Sequence, residues 1–281
     1  MTRATSSLDD IARPSRMPTI AALRSELIKA LTLRTWWLGV GVILVLNLYF
    51  AQMNADLLSE LALTLDDGWF LAFDGSVTPF DQAVTDSVLS SPYQSAALFV
   101  PLLVAAACGQ EYRSGQMQLS ALAVPDRTRL AAAKIAVTAL LGAAVTLVAF
   151  VLSDVVLVLL LPPEGRAVVL SGAGMLVAAK VVLYAVVVSV VAGALTTVFR
   201  STMPALITIV GVLVLALSGL LRALAPPLHN LLPMIAAKTF LFGYRSEPGE
   251  PSATAGVVTL LGWFVIAVVA WVVVTRRRDV A

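Results

Sequence analysis

Apolar positions along this chain neither alternate nor keep to one helical stripe; they run on in blocks, separated by short polar segments. A block that is apolar all round needs an apolar solvent on every side, and a helix crossing the roughly 30 Å hydrocarbon core of a bilayer takes about 20 such residues. Six blocks meet that requirement approximately: residues 36–52, 93–109, 130–161, 169–199, 204–225 and 256–274. The third and fourth exceed what a bilayer requires, so they are expected to tilt or to project beyond it. Ser90, Ser91 and Pro92 before the second block, and Ser201, Thr202 and Pro204 before the fifth, read as helix-start signals. Pro101 falls inside the second block, where it removes a backbone hydrogen bond and predicts a bend.

Composition strengthens the membrane reading. With 59% apolar and 13% charged residues, the chain lacks the polar surface that a soluble protein of 281 residues requires. A single cysteine, Cys108, excludes an intrachain disulfide, and one histidine, His229, argues against a metal centre or a histidine relay. The first 35 residues carry Arg3, Arg13 and Arg16 but no apolar core leading to a small-residue cleavage site, so they do not read as a cleaved signal peptide. Residues 1–17 are read as a tail on the cytoplasmic side, and 18–281 as one transmembrane domain.

Charge then sets orientation. Fourteen lysines and arginines fall on one side of the six-span scheme and four on the other, with Lys180 inside a span. The excess of basic residues marks the cytoplasmic side, so both termini are expected there, in the cell membrane. The segment from Met53 to Pro92 carries seven acids and no base, which suits an external loop. Those acids either attract cationic substrates or simply keep the loop solvated. A shorter apolar stretch, Leu231 to Phe242, is too short to span and is expected as a short helix lying at, or dipping into, the outer interface.

Two stretches outside the spans have a pattern of their own. In the first, Ile20, Leu23, Leu27, Ala30 and Leu31 fall near one helical face, opposite Ser25, Lys29 and Thr32, which predicts an amphipathic helix on the inner membrane surface. Arg24 projects from the apolar side of that wheel, either snorkelling or pairing with an acid. In the second, Gln116 to Ala123 has helical composition and ends at Pro125, with Asp126 placed to cap the third span.

The run LRSELIKALTLRTWW (residues 23–37), followed by a span, an external loop, a second span and EYRSGQMQLSALAVPDRTRLAAAK (residues 111–134), resembles the type-2 ATP-binding-cassette exporter permeases common in actinobacteria. The resemblance covers nearly the whole chain by span count and order, while its specific part is confined to these two runs. It implies an all-α integral membrane fold of six transmembrane helices, with an N-terminal elbow helix carrying Arg24, Glu26 and Lys29. It also implies a cytoplasmic coupling helix, whose start is marked by Glu111, Tyr112, Arg113 and Gly115 and whose end is marked by Pro125, Arg127 and Arg129. The partners implied are a nucleotide-binding ATPase subunit and a second permease copy, identical or related, within the lipid bilayer; no nucleic acid is expected. No GxxxxGK[ST] phosphate loop occurs in the sequence, so ATP and magnesium are expected on the partner subunit and no cofactor or catalytic activity on this chain.

Two charges remain inside the spans. Asp154 lies 20 residues after Lys134, and Lys180 lies 20 residues before Arg200, which would put both at one height on adjacent helices. An ion pair or separate snorkelling is one reading; a proton or substrate relay is the other, and it leads to a proton-coupled secondary transporter built on Asp154. Asn47 in the first span suits an interhelical hydrogen bond. Trp36, Trp37 and Trp271 fit lipid-facing and interfacial positions.

Overall fold

The computed structural model describes residues 19–64, 68–71, 77–124, 126–171, 173–243 and 251–277. In chain order these form α1 (Thr19–Thr32), α2 (Arg34–Ala62), a hairpin of β1 (Trp69–Leu71) and β2 (Val77–Pro79), α3 (Phe80–Leu98), α4 (Val100–Arg113) and α5 (Gln116–Ala123). There follow α6 (Arg127–Leu160), α7 (Pro163–Val169), α8 (Ala173–Phe199), α9 (Thr202–Leu217), α10 (Leu220–Leu224), α11 (Pro226–Asn230), α12 (Pro233–Phe242) and α13 (Ala253–Arg277). The antiparallel hairpin pairs Trp69 with Pro79 and Leu71 with Val77.

Five helical segments are long and apolar enough to cross a membrane: α2, the joined α3–α4, α6, α8 from Leu176 onward, and α13. Apart from the small hairpin the described residues are helical, and the chain is a multi-pass membrane protein of the all-α class. α3–α4 and α8 are the most buried, and α2, α6 and α13 pack around them. Lipid offers no hydrophobic drive for helix association, so the contacts rest on close packing of small residues and on a few hydrogen bonds. Ala96, Ala97, Ala105, Ala149, Ala185 and Ala192 are accordingly buried at the crossings. Gly142 of α6 lies so close to Ser189 of α8 that a Cβ there would strike its side chain. Asn47 supplies the predicted interhelical link: its amide donates to the Ala149 carbonyl at 2.8 Å and to Ser153 Oγ at 2.8 Å, and its oxygen accepts from Ser95 Oγ at 3.0 Å.

Several boundaries differ from the sequence expectation. The second span does not begin at Ser90–Pro92: α3 starts at Phe80 and runs straight through Pro92, which is buried inside it. α2 continues to Ala62, so much of the expected external loop is helical, and the hairpin closes it; Asp66, Asp67 and Asp74 lie outside the described residues. As expected of Pro101, the long second span is interrupted locally: the break falls at Phe99, two residues before the proline, and α3 and α4 together form one 34-residue span. The expected fifth span, 204–225, ends at Leu217, because Gly219 takes a left-handed conformation (φ +68°) before α10. At 16 residues, α9 covers about 24 Å, short of a full hydrocarbon core.

The short apolar stretch forms α12, which packs against the bundle. Ala236 and Ala237 are fully buried, the Tyr93 hydroxyl donates to the Met234 carbonyl at 2.9 Å, and Trp263 Nε1 donates to the Leu231 carbonyl at 2.8 Å. Trp36 and Trp271 are also buried, whereas Trp37 is exposed, so only the last fits the lipid-facing expectation.

Candidate coupling site

At one end of the bundle four elements meet around one lysine. Lys134, two turns into α6, is 8% exposed, and its ammonium bonds Glu26 Oε2 of α1 at 2.8 Å and Glu111 Oε2 of α4. Glu26 is itself buried, and its second oxygen accepts from Lys29 Nζ at 2.5 Å; Lys29 also donates to Ser120 Oγ of α5 at 2.6 Å. Two carboxylates and two ammonium groups therefore balance within one network tying α1, α4, α5 and α6 together. Burial pushes the Glu26 carboxyl up, but the charges and hydrogen bonds of Lys134 and Lys29 outweigh it and hold the group below its ordinary value of 4.5.

The local sequence explains the geometry. Gly115, in the left-handed region at φ +71°, turns the chain sharply after α4 and starts α5. Asp126 caps α6, accepting from the backbone N–H of Thr128 at 3.0 Å and of Arg129 at 3.1 Å. Between these two stops α5 buries Met117 and Ser120 against Ala22, Leu130 and Ala133. Its other face is left outward, with Leu119 66% and Leu122 78% exposed. Arg113 is exposed beside it, Arg129 Nε lies 3.9 Å from Asp126, and Arg127 has a buried Nη1 without a hydrogen-bond partner among the described residues. Pro125 lies outside the described residues.

A cavity of about 50 Å³ adjoins the network, lined by Glu26, Glu111, Tyr112, Lys134, Thr138 and Thr197 among others. Among the described residues, no three histidine, cysteine, aspartate or glutamate side chains gather where they could hold a metal ion.

The structure thus joins Glu26, Lys29 and Glu111, which the sequence placed in two separate stretches, and adds Lys134 and Ser120, which it did not single out. In the sequence Lys134 served only to count the height of Asp154. Its available signal was its position as the only charge amid the small residues of LAAAKIA, seven residues past a helix start. Arg24 resolves as an exposed side chain with no ion pair among the described residues. The buried face of α1 centres on Ala22 and Glu26, and Ile20, Ile28 and Leu31 are exposed.

Asp154 and Lys180 do not form the expected pair. Lys180 Nζ sits 5.8 Å from the centre of the Phe240 ring on α12, and Asp154 Oδ1 is buried with no hydrogen-bond partner among the described residues. Measured from the Gly142–Ser189 contact, Asp154 lies twelve residues on and Lys180 nine residues back, so the two positions are offset by about 4.5 Å by helical rise instead of level.

No family model matches the sequence, and no curated protein matches it.

Proposed function

We propose that this chain is the permease half of an ATP-driven exporter of the type-2 ATP-binding-cassette kind, working with a separate ATPase subunit and a second permease copy. The observation that carries this reading is the mounting of α5: a short helix held from behind by a buried ion network, with two leucines facing away from the bundle. A large apolar side chain held out from the end of a membrane bundle suits a protein partner. A lever that transmits motion needs this combination of a rigid root and a sticky tip, since a coupled conformational change requires contacts that differ between two states. In this scheme α1 is the elbow helix, its exposed Ile20 and Ile28 resting on lipid. α9 with α10 makes the sixth crossing, and both termini lie in the cytoplasm. ATP and magnesium belong to the partner, and the cargo is an amphiphile moved across the cell membrane.

Affinity purification of the tagged chain from its native membrane, followed by assay of ATP hydrolysis and identification of nucleotide-binding partners, tests this. The Leu119→Asp/Leu122→Asp variant is expected to lose at least tenfold of the recovered ATPase while keeping its own yield, because neither leucine is packed. Glu111→Ala and Arg127→Ala should weaken recovery less. If the wild type yields no ATPase under conditions that keep such complexes whole, the reading fails. The unpartnered Asp154 oxygen then favours a proton-coupled carrier, which would move cargo in vesicles given a pH gradient and no ATP.

A further inference from the structure

The outward face of α1 carries a charge that the buried ion network does not use. We infer that this face binds an anionic phospholipid, with the Arg24 guanidinium on the lipid phosphate. Counting about 100° per residue, Ile20, Leu31, Arg24 and Ile28 fall within an arc of about 80°. All four are exposed, so the arginine stands in the middle of an apolar stripe. Most of the stripe that the sequence offered to the membrane is used inside the protein instead: Leu23, Leu27 and Ala30 pack against the cluster that includes Trp36, Val104 and Val137. Lys29 is likewise committed inward, to Glu26 and Ser120, which leaves Arg24 as the cation of the outward face.

Position and charge select the occupant. Leu33 alone joins α1 to α2, which is long and apolar enough to span from Arg34 onward. Ala22 and Glu26 pack on Leu130, Ala133 and Lys134 in the first turns of α6, another such helix. α1 therefore lies along the bundle where two spans begin, at the level of lipid head groups. Trp37 of α2, 57% exposed, donates its indole N–H to the Leu31 carbonyl at 2.8 Å, which seats at the α1–α2 corner a residue type favoured at membrane interfaces. Arg34, also exposed, adjoins that corner. Among residues 19–55 the one acid is Glu26, buried and held between Lys134 and Lys29, so this stretch offers no outward carboxylate to the ammonium of a zwitterionic head group. A head group charged through its phosphate alone suits an arginine fork, and the isoleucines and leucine around it need acyl chain beside them, which a free phosphate lacks. The inference goes beyond the exporter reading and stands without it, since it needs only that the spans lie in a bilayer.

The full chain in phosphatidylcholine nanodiscs can be given the same minor fraction of either phosphatidylglycerol or phosphatidylcholine brominated near the head-group end of its chains. Quenching of Trp37 is then the difference between wild type and Trp37→Phe. Brominated phosphatidylglycerol is expected to quench Trp37 at least twofold more than brominated phosphatidylcholine, and soluble glycerol phosphate should not reduce that excess. Arg24→Gln should bring the ratio close to one, Arg24→Lys should retain part of the excess, and Arg277→Gln, at the far end of α13, should leave it unchanged. Ile28→Glu, which sets a carboxylate one turn from Arg24, should also remove the excess and so covers the case in which Arg24→Gln fails to fold. Equal quenching by the two lipids in the wild type would overturn the inference. So would an excess that survives both Arg24→Gln and Ile28→Glu, one that soluble glycerol phosphate abolishes, or one that Arg277→Gln removes as fully as Arg24→Gln, which would mark diffuse attraction to the whole basic end of the bundle.

Discussion

Lys134 shows how one buried side chain can hold several elements in place. Removing it leaves Glu26 and Glu111 facing each other without their shared cation, and an uncompensated buried charge costs on the order of 3–5 kcal/mol. Lys134→Met should therefore lower the thermal midpoint in detergent strongly, while the triple variant Lys134→Met/Glu26→Gln/Glu111→Gln should recover most of the loss; a triple variant no better than the single one would show that the charges are not the cause. The pH dependence has a definite sign. Because the folded Glu26 carboxyl lies below its ordinary value, its contribution is complete above about pH 4.5 and is lost as pH falls through the lower folded value. Stability monitored from pH 6 downward should decline less in Glu26→Gln than in the wild type.

At the scale of elements, α12 depends on a close backbone approach. A Cβ on Gly256 of α13 would run into the Ala236 carbonyl oxygen of α12, an atom that cannot swing aside, whereas a Cβ on Gly262, six residues further along α13, meets nothing. Gly256→Val should push α12 outward, break the Tyr93–Met234 hydrogen bond and speed amide exchange across residues 233–242, with a stability loss of about 1–3 kcal/mol, typical of overpacking. Gly262→Ala should leave both exchange and stability unchanged. Equal effects from the two substitutions would mean that helix propensity, and not the crossing, sets the outcome.

For the whole molecule, the short α9 decides the topology. If α9 with α10 completes a crossing, α13 starts outside and returns inward; if it does not, the last helix runs the other way. In a Cys108→Ser background, Thr254→Cys should react with a membrane-impermeant maleimide on intact cells, as should Thr64→Cys, whereas Ser114→Cys should react only after permeabilisation. Labelling of Thr254→Cys with the same pattern as Ser114→Cys would remove the sixth crossing and put the termini on opposite sides.

The sequence by itself determined that the protein lives in a membrane, and roughly where most of its long helices run, because burying apolar side chains in lipid needs only a long enough run, and a run is local. It also placed the cap at Asp126, fixed by that residue's own chemistry. Helix ends at Phe80 and Leu217 were misplaced for a complementary reason: proline and serine at 90–92 are tolerated inside a helix that neighbouring helices hold, and a glycine within an apolar run gives no warning that it will turn left-handed. What only the tertiary structure decided are the partnerships across elements. Glu26 and Lys134 are 108 residues apart, and Asn47 and Ser153 are 106 apart, so nothing local could pair them. Asp154 and Lys180, matched by counting from helix ends, are offset once the register of α6 on α8 is taken from the Gly142–Ser189 contact, and that register is a property of two packed surfaces, not of either helix alone.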